Sequence, residues 1–201
     1  MKKRGLITFV KNPVLGKVKT RLAASIGDNK ALEVYRRLMA HTRKVAIDSD
    51  ADAYLFYDQE IATNDGWEPT SFSKHVQYPG DLGERMSHAF AMVLEVADTA
   101  VIIGSDCPRI SKDIIDFAFQ KLQVADVVVG PTYDGGYYLL GMKKLHATLF
   151  QDIEWSSESV FDKTIEKLVS NDLLYTLMEK KSDLDYLEDL EKFPEFSEGI
   201  L

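Results

Sequence analysis

Gly5-Leu6-Ile7-Thr8-Phe9-Val10 runs directly into Lys11-Asn12-Pro13-Val14-Leu15-Gly16-Lys17-Val18-Lys19-Thr20-Arg21-Leu22. The first six residues read as a short buried strand, continuous and rich in large apolar side chains. Pro13 and Gly16 shape a basic turn, and Val18–Ile26 then reads as a helix. A strand passed to a helix through such a loop is the unit of an α/β fold, with the loop at the strand's carboxyl end. Free backbone amides at a helix start, with Lys and Arg beside them, suit a pyrophosphate. The stretch is neither a Walker loop nor the dinucleotide Gly-x-Gly-x-x-Gly. A solvated basic helix face explains the same residues, so spacing alone leaves both readings open.

The placement of charge sharpens that stretch. The 201-residue chain carries net charge −8, yet no acid precedes Asp28, and Lys2, Lys3, Arg4, Lys11, Lys17, Lys19 and Arg21 all fall before it. An acidic chain lacks the broad basic face of a general nucleic-acid binder, so no nucleic acid is expected as partner. A small anionic ligand at one local basic site fits. Apolar content of 45% and charged content of 28% are those of a soluble globular protein. The length suits one large α/β domain, taken here as 1–201. No apolar run approaches the ~20 residues of a membrane span. Lys2-Lys3-Arg4 before Leu6–Val10 mimics a signal peptide, but the apolar stretch is too short and no small-residue cleavage site follows. Cys107 is alone, which excludes an intramolecular disulfide and, with no signal peptide, points to the cytoplasm.

Outward from the first strand, Ala51–Tyr57, His75–Tyr78, Ala100–Gly104, Asp126–Gly130, Gly136–Gly141 and Leu173–Leu177 also read as strands. Lys30–Ile47 sets Ala31, Val34, Tyr35, Leu38, Met39, Thr42 and Ala46 at helical spacing, and Leu82–Val96 does so for Met86, Ala89, Phe90, Val93 and Leu94. Ser111 is placed to cap Lys112–Leu122, and Ser157 to cap Glu158–Val169. Strands alternating with helices predict right-handed βαβ crossovers and a mostly parallel sheet. The Gly130–Gly136 connection is too short for a parallel crossover, so one antiparallel strand is expected there. Asp58–Lys74, polar and containing Asn64-Asp65-Gly66, reads as a surface loop.

Ligands of open parallel sheets lie beyond the carboxyl ends of the strands. Ile102-Ile103-Gly104-Ser105-Asp106-Cys107-Pro108 puts a carboxylate there, placed to hold Mg²⁺, which takes one or two protein carboxylates and completes its shell with phosphate and water. An Asp that caps a turn is the plainer alternative. Cys107 reads best as a small buried thiol, since His41, His75, His88 and His146 show no pairing with it. Gly130-Pro131-Thr132-Tyr133-Asp134-Gly135-Gly136-Tyr137-Tyr138-Leu139 follows another strand. Its glycines let backbone approach a ligand, or simply form an Asp-Gly turn. Asp183 and Asp185 in Ser182–Leu190 precede a helix, and gain meaning only if they meet Asp106. Gln77–Met86 brings Gly80, Asp81 and Arg85 towards the same edge, although capping the helix is the better-founded role for Asp81. Trp67 and Trp155 could stack on a base or pack internally.

In order, Lys-x-Pro-x-x-Gly-x-Val-Lys-Thr-Arg-Leu, Gly-Asp-Leu-Gly-Glu-Arg-Met, Gly-Ser-Asp-Cys-Pro, Asp-Gly-Gly-Tyr-Tyr-Leu, Trp-Ser-Ser and Asp-Leu-Asp…Glu-Asp-Leu resemble a bacterial glycosyltransferase-A-like family. That family is related to phospholactate guanylyltransferase and the molybdenum-cofactor nucleotidyltransferases. The resemblance runs from about Leu6 to Leu190. It implies a nucleotide-diphospho-sugar transferase fold, an α/β, Rossmann-like three-layer α/β/α arrangement with a mostly parallel mixed sheet of about seven strands, with Lys11, Lys19 and Arg21 on nucleotide phosphates and Pro13, Gly16, Lys17, Gly80, Asp81 and Arg85 in the nucleotide-binding segments. It implies Asp106 as first metal ligand for Mg (or Mn), Asp185 or Asp183 as the second, and Asp134, Gly135 and Gly136 on the acceptor side. Tyr186 stands where relatives often carry Thr, which leaves the choice between Asp183 and Asp185 open.

Two activities follow. The first is Mg²⁺-dependent nucleotidyl transfer from a nucleoside triphosphate to a small phosphorylated acceptor, with Lys19 and Arg21 stabilising phosphate charge; such chemistry needs positioning and neutralisation more than a protein nucleophile. The second is glycosyl transfer from a nucleotide-sugar, with Asp134 as base for the acceptor hydroxyl. A third reading is a non-catalytic nucleotide-binding module, against which the combination of Asp106 with Lys19 and Arg21 argues.

Overall fold

The computed structural model describes residues 2–63 and 65–200. Seven strands form one sheet: β1 (Arg4–Val10), β2 (Asp52–Tyr57), β3 (Phe72–Val76), β4 (Thr99–Ile103), β5 (Val127–Pro131), β6 (Tyr137–Met142) and β7 (Tyr175–Leu177). Their order is β3-β2-β1-β4-β6-β5-β7. Only β6 runs antiparallel, to β4 and β5, as its short connection from β5 requires. The helices are α1 (Thr20–Ile26), α2 (Asp28–Asp48), α3 (Leu82–Leu94), α4 (Lys112–Lys121), α5 (Val160–Ser170), α6 (Leu187–Leu190) and α7 (Pro194–Ser197), with a 3₁₀ turn at Ala147–Phe150. This is the three-layer α/β/α arrangement that the family resemblance implies, with the mostly parallel sheet that the alternation predicts. No helix among the described residues is long and apolar enough to cross a membrane.

Alternation along each strand builds the layers. Leu6, Val101 and Ile103 face Tyr35 and Met39 of α2 and Phe119 of α4. Ile7, Ala100 and Ile102 face Met86, Phe90 and Val93 of α3 and Leu168 of α5. A third, smaller core lies outside α2. There Ala31, Val34 and Leu38 meet Leu22 of α1, Leu184, Leu190, Phe193 and Phe196. The apolar residues of α2 that share a helical period thus split between the sheet and the chain's final segment.

Three element readings are corrected. β3 begins at Phe72, not His75, because Phe72 is buried edge-on against Trp67 and pairs in register with Ala53. This strand lies at a sheet edge, and its polar Ser73 and Lys74 hid its start. The preceding loop is therefore shorter than predicted and is anchored by buried Trp67, by the Lys74–Asp65 ion pair at 2.9 Å and by Tyr57, which hydrogen-bonds Asp65; Asn64 lies outside the described residues. α1 begins at Thr20, two residues late, because Lys19 is left-handed (φ 47°, ψ 43°). α5 begins at Val160, with Ser159 rather than Ser157 at its N-cap; Ser157 Oγ instead donates to Glu154 O at 2.7 Å. Ser111 caps α4 as expected, accepting from Ile114 N–H at 3.3 Å.

Six strands run the same way, so the segments after β1, β3, β4, β5 and β7 leave the sheet at one edge. That edge carries the polar signatures.

Candidate active site

A cavity of about 920 Å³ opens at this edge. Lys19 lines it. Its ammonium lies 2.5 Å from Asp106 Oδ1 and 3.0 Å from Asp185 Oδ1, with the side chain only 3% exposed. A buried cation is costly unless it is paired and hydrogen-bonded. Burial works to lower the Lys19 pKa, but Asp106 and Asp185 together outweigh it and hold the ammonium charged well above its ordinary range. The left-handed backbone at Lys19 is uncommon for a non-glycine residue and costs of order 1–3 kcal/mol, so the surroundings must over-determine it. They do: Lys19 O accepts from Ala23 N–H at 2.8 Å at the start of α1, while its side chain is clamped by two carboxylates.

Arg21 extends the cluster. Its guanidinium donates to Asp185 Oδ2 at 3.1 Å and sits 5.6 Å from the Tyr186 ring centroid. Both oxygens of Asp185 are therefore engaged by cations. Burial works to raise its pKa, but Lys19 and then Arg21 hold it below its ordinary value. Asp183 is the opposite case: burial, then the negative charge of Asp106, push its carboxyl up to about 7. The Asp106 carbonyl accepts Leu184 N–H at 3.0 Å, and fully buried Leu184 packs with Leu22. These two contacts bring the final acidic segment to the end of β4. Asp189 Oδ2 accepts the amides of Asp185 and Tyr186 at 3.2 and 3.1 Å and fixes the turn between them.

Tyr35 ties the basic loop to β4. Its buried hydroxyl accepts from Lys11 N–H at 2.8 Å, donates to Lys11 O at 3.0 Å and lies 3.2 Å from Ser105 Oγ. The helical period placed Tyr35 in the core; nothing in the spacing revealed its hydroxyl as the clamp. Cys107 is buried beside it all, with burial and then Asp183 pushing its thiol up to about 12, so it is no thiolate nucleophile at neutral pH.

A further part of the wall comes from the β5–β6 turn and the segment before α5. Thr132 Oγ1 donates to Asp134 Oδ1 at 2.5 Å, and Gly136 N–H reaches the same oxygen at 3.3 Å. Gly135 (φ 89°) passes so close to the Glu158 backbone that no Cβ fits there, and its carbonyl accepts Phe161 N–H at 2.8 Å. Trp155 packs on the start of α3, where Gly83 leaves no room for a Cβ, and its buried indole N–H has no partner among the described residues. Packing rather than hydrogen bonding holds this ring.

The cavity wall thus brings together Lys11, Lys19, Arg21, Asp106, Asp134, Gly136, Asp183 and Asp185. Sequence reasoning did not single out Thr132, Tyr137 or Glu158 as wall residues. Pro13, Gly16, Lys17, Gly80, Asp81, Arg85 and Gly135 do not line it. Gly16 (φ 72°) shapes its loop, and Lys17 points to solvent. Asp81 caps α3 in a capping box with Glu84, and Arg85 Nε donates to Gly80 O at 2.8 Å, so this trio builds the turn into α3. Trp67 is core, whereas Trp155 reaches the cavity.

Among the described residues, no three His, Cys, Asp or Glu side chains form a metal-binding group. Asp106 and Asp183 are hard oxygen donors, and Asp183 lacks enough neighbouring positive charge to stay ionised below about pH 7. This donor set fits an ion such as Mg²⁺ that takes one or two carboxylates and draws the rest of its shell from phosphate and water.

A family model described as uncharacterized protein conserved in bacteria (DUF2064) matches residues 39–157. No curated protein matches the sequence. Among solved structures, a protein from Desulfovibrio desulfuricans G20 provisionally named a nucleotide-diphospho-sugar transferase is 30% identical, with a TM-score of 0.90 over 99% of this chain and 89% of that one. CMP:2-keto-3-deoxy-manno-octonic acid synthetase, solved with CTP, shares the fold at 11% identity, with a TM-score of 0.63 over 99% of this chain and all of its own. The Rv0371c protein of Mycobacterium tuberculosis H37Rv, solved with manganese, does so at 13% identity and a TM-score of 0.53, over 97% of this chain and 99% of that one.

Proposed function

Because the chain belongs to the DUF2064 family and has the nucleotide-diphospho-sugar transferase fold, we propose that it is a transferase acting on nucleotides, and specifically a Mg²⁺- or Mn²⁺-dependent nucleotidyltransferase. The observation that carries this reading is the buried Lys19 ammonium held between Asp106 and Asp185, with Lys11 and Arg21 on the same wall. Three cations from one loop and helix start suit a triphosphate, and carboxylates at the end of β4 suit its metal. Fold neighbours solved with CTP and with manganese are consistent with it.

In this reading Lys11, Lys19 and Arg21 bind the phosphates and draw charge from the departing pyrophosphate. Asp106 and Asp183 would hold the metal, because Asp185 already has both oxygens on Lys19 and Arg21. When bound, the ion would neutralise phosphate charge and orient the α-phosphate. Asp134 and Gly136 face the acceptor. Incubation with ATP, GTP, CTP or UTP, Mg²⁺ and an acceptor panel tests the reaction: inorganic pyrophosphate is the expected product. Release of a nucleoside diphosphate from a nucleotide-sugar instead would establish glycosyl transfer. The second reading is favoured by one observation, the Asp134 carboxylate on the wall, available as base for an acceptor hydroxyl.

A further inference from the structure

Charge is distributed unevenly around the cavity. Every cation on its wall, Lys11, Lys19 and Arg21, comes from the first loop and the start of α1. The half built by the β5–β6 turn and the segment before α5 contributes Thr132, Asp134, Tyr137, Trp155, Ser157 and Glu158, and no Lys, Arg or His among the described residues comes from these segments to line the cavity. Lys180, which neighbours this half, is engaged over the Tyr133 ring at 5.1 Å and is not part of the wall. A phosphorylated acceptor would bring negative charge between the carboxylates of Asp134 and Glu158, and no Lys, Arg or His of this part of the wall would meet it. Phosphate sites are built the other way, from Lys, Arg and backbone amides.

We propose, resting on the transferase reading, that this half binds an uncharged polyhydroxylated acceptor, such as a sugar or polyol, whose hydroxyl is the nucleophile. The phosphorylated acceptor expected for triphosphate chemistry is thereby replaced. The wall has what hydroxyl recognition needs: two carboxylates and two hydroxyls as hydrogen-bond partners, and a tryptophan as apolar platform. A cationic acceptor fits less well. The Tyr133 face is already covered by Lys180, and the Tyr137 hydroxyl is turned onto Met86 Sδ at 3.8 Å, so no aromatic cage is left open.

Asp134 is the acceptor's base in this arrangement. Oδ1 is held by Thr132 and Gly136, and Oδ2 has no protein donor among the described residues. The acceptor oxygen attacks the α-phosphorus and forms the new O–P bond. The bond from that phosphorus to the bridging oxygen breaks, pyrophosphate leaves with the electron pair, and the hydroxyl proton passes to Asp134 Oδ2.

The test begins with calorimetry of each triphosphate with Mg²⁺, which reports on the transferase reading alone. With a nucleotide that binds, pyrophosphate release is then measured with glucose, ribose and glycerol, with their monophosphates, and with choline. Release with at least one neutral member and none with its monophosphate is the expected result, and Glu158→Gln should raise the acceptor KM about tenfold while leaving nucleotide affinity unchanged. Release only with a monophosphate, only with choline, or with none while nucleotide binds would overturn the proposal. Absence of any nucleotide binding would instead overturn the reading beneath it.

Discussion

At the scale of single residues, Lys19 and Asp183 carry the sharpest consequences. Replacing Lys19 by Met leaves Asp106 and Asp185 facing each other without their shared cation. Breaking a fully buried pair costs about 3–5 kcal/mol. Both partners here are partly exposed, so a loss of about 1–3 kcal/mol is expected, read as a Tm lower by several degrees. Triphosphate affinity should fall at least tenfold in the same variant, measured by calorimetry. Asp183 sets a pH dependence. Its folded pKa of about 7 lies above the ordinary carboxylate value, so between roughly pH 4 and 7 the folded chain binds a proton that the unfolded chain has released. Stability contributed by that proton is present at low pH and lost as pH rises through 7. One pKa unit is worth about 1.4 kcal/mol, and the residue keeps some contact with solvent that screens the charge, so a fall of about 1–2 kcal/mol is expected. Thermal melts from pH 5 to 8 should show it, and Asp183→Asn should flatten the curve. The sequence named both residues, yet neither environment was legible. Lys19 and Asp185 stand 166 positions apart, and no local pattern reports which of two aspartates meets the cation.

At the scale of elements, the site depends on turns that position it. Gly135 combines a left-handed φ of 89° with direct backbone contact to Glu158. Gly135→Ala should therefore cost about 1–3 kcal/mol and shift the Trp155–Glu158 segment. Gly136, without a positive φ and with Thr132 Oγ1 at 3.2 Å from a built Cβ, should tolerate Ala with a smaller loss. Paired thermal melts check the ranking. Leu184 belongs to the same scale: it is fully buried between α1 and the final helices. Leu184→Ala is expected to cost about 2–5 kcal/mol and to loosen Asp183 and Asp185 together, so nucleotide affinity should fall with the Tm. The central strands were readable because both faces are buried, and their apolar runs follow from that. β3 was read late because an edge strand keeps its solvent side polar. The start of α1 was misplaced because a left-handed Lys leaves no compositional mark, whereas a glycine there would have.

At the scale of the molecule, the net charge of −8 conceals a division of labour. Parallel strands deliver the basic loop, the β4 aspartate, the β5–β6 turn and the final acidic segment to one edge, where opposite charges pair instead of spreading over the surface. For the basic loop, the β4 aspartate and the β5–β6 turn that convergence was legible in the sequence through the strand-end rule, because the rule depends on strand direction alone; for the acidic segment it was not. The third core outside α2, which seats the acidic segment, was not, because one helix's apolar period cannot tell which of its neighbours lies on which side. The central claim is that Asp106 and the basic loop form one metal–nucleotide site. Calorimetry of triphosphate binding with and without Mg²⁺ tests it in the native chain and in Asp106→Ala, with circular dichroism to confirm the fold. The account predicts that Mg²⁺ strengthens binding at least tenfold in the native chain and has no effect in the variant. Undiminished Mg²⁺-dependent binding by a folded Asp106→Ala chain would contradict it.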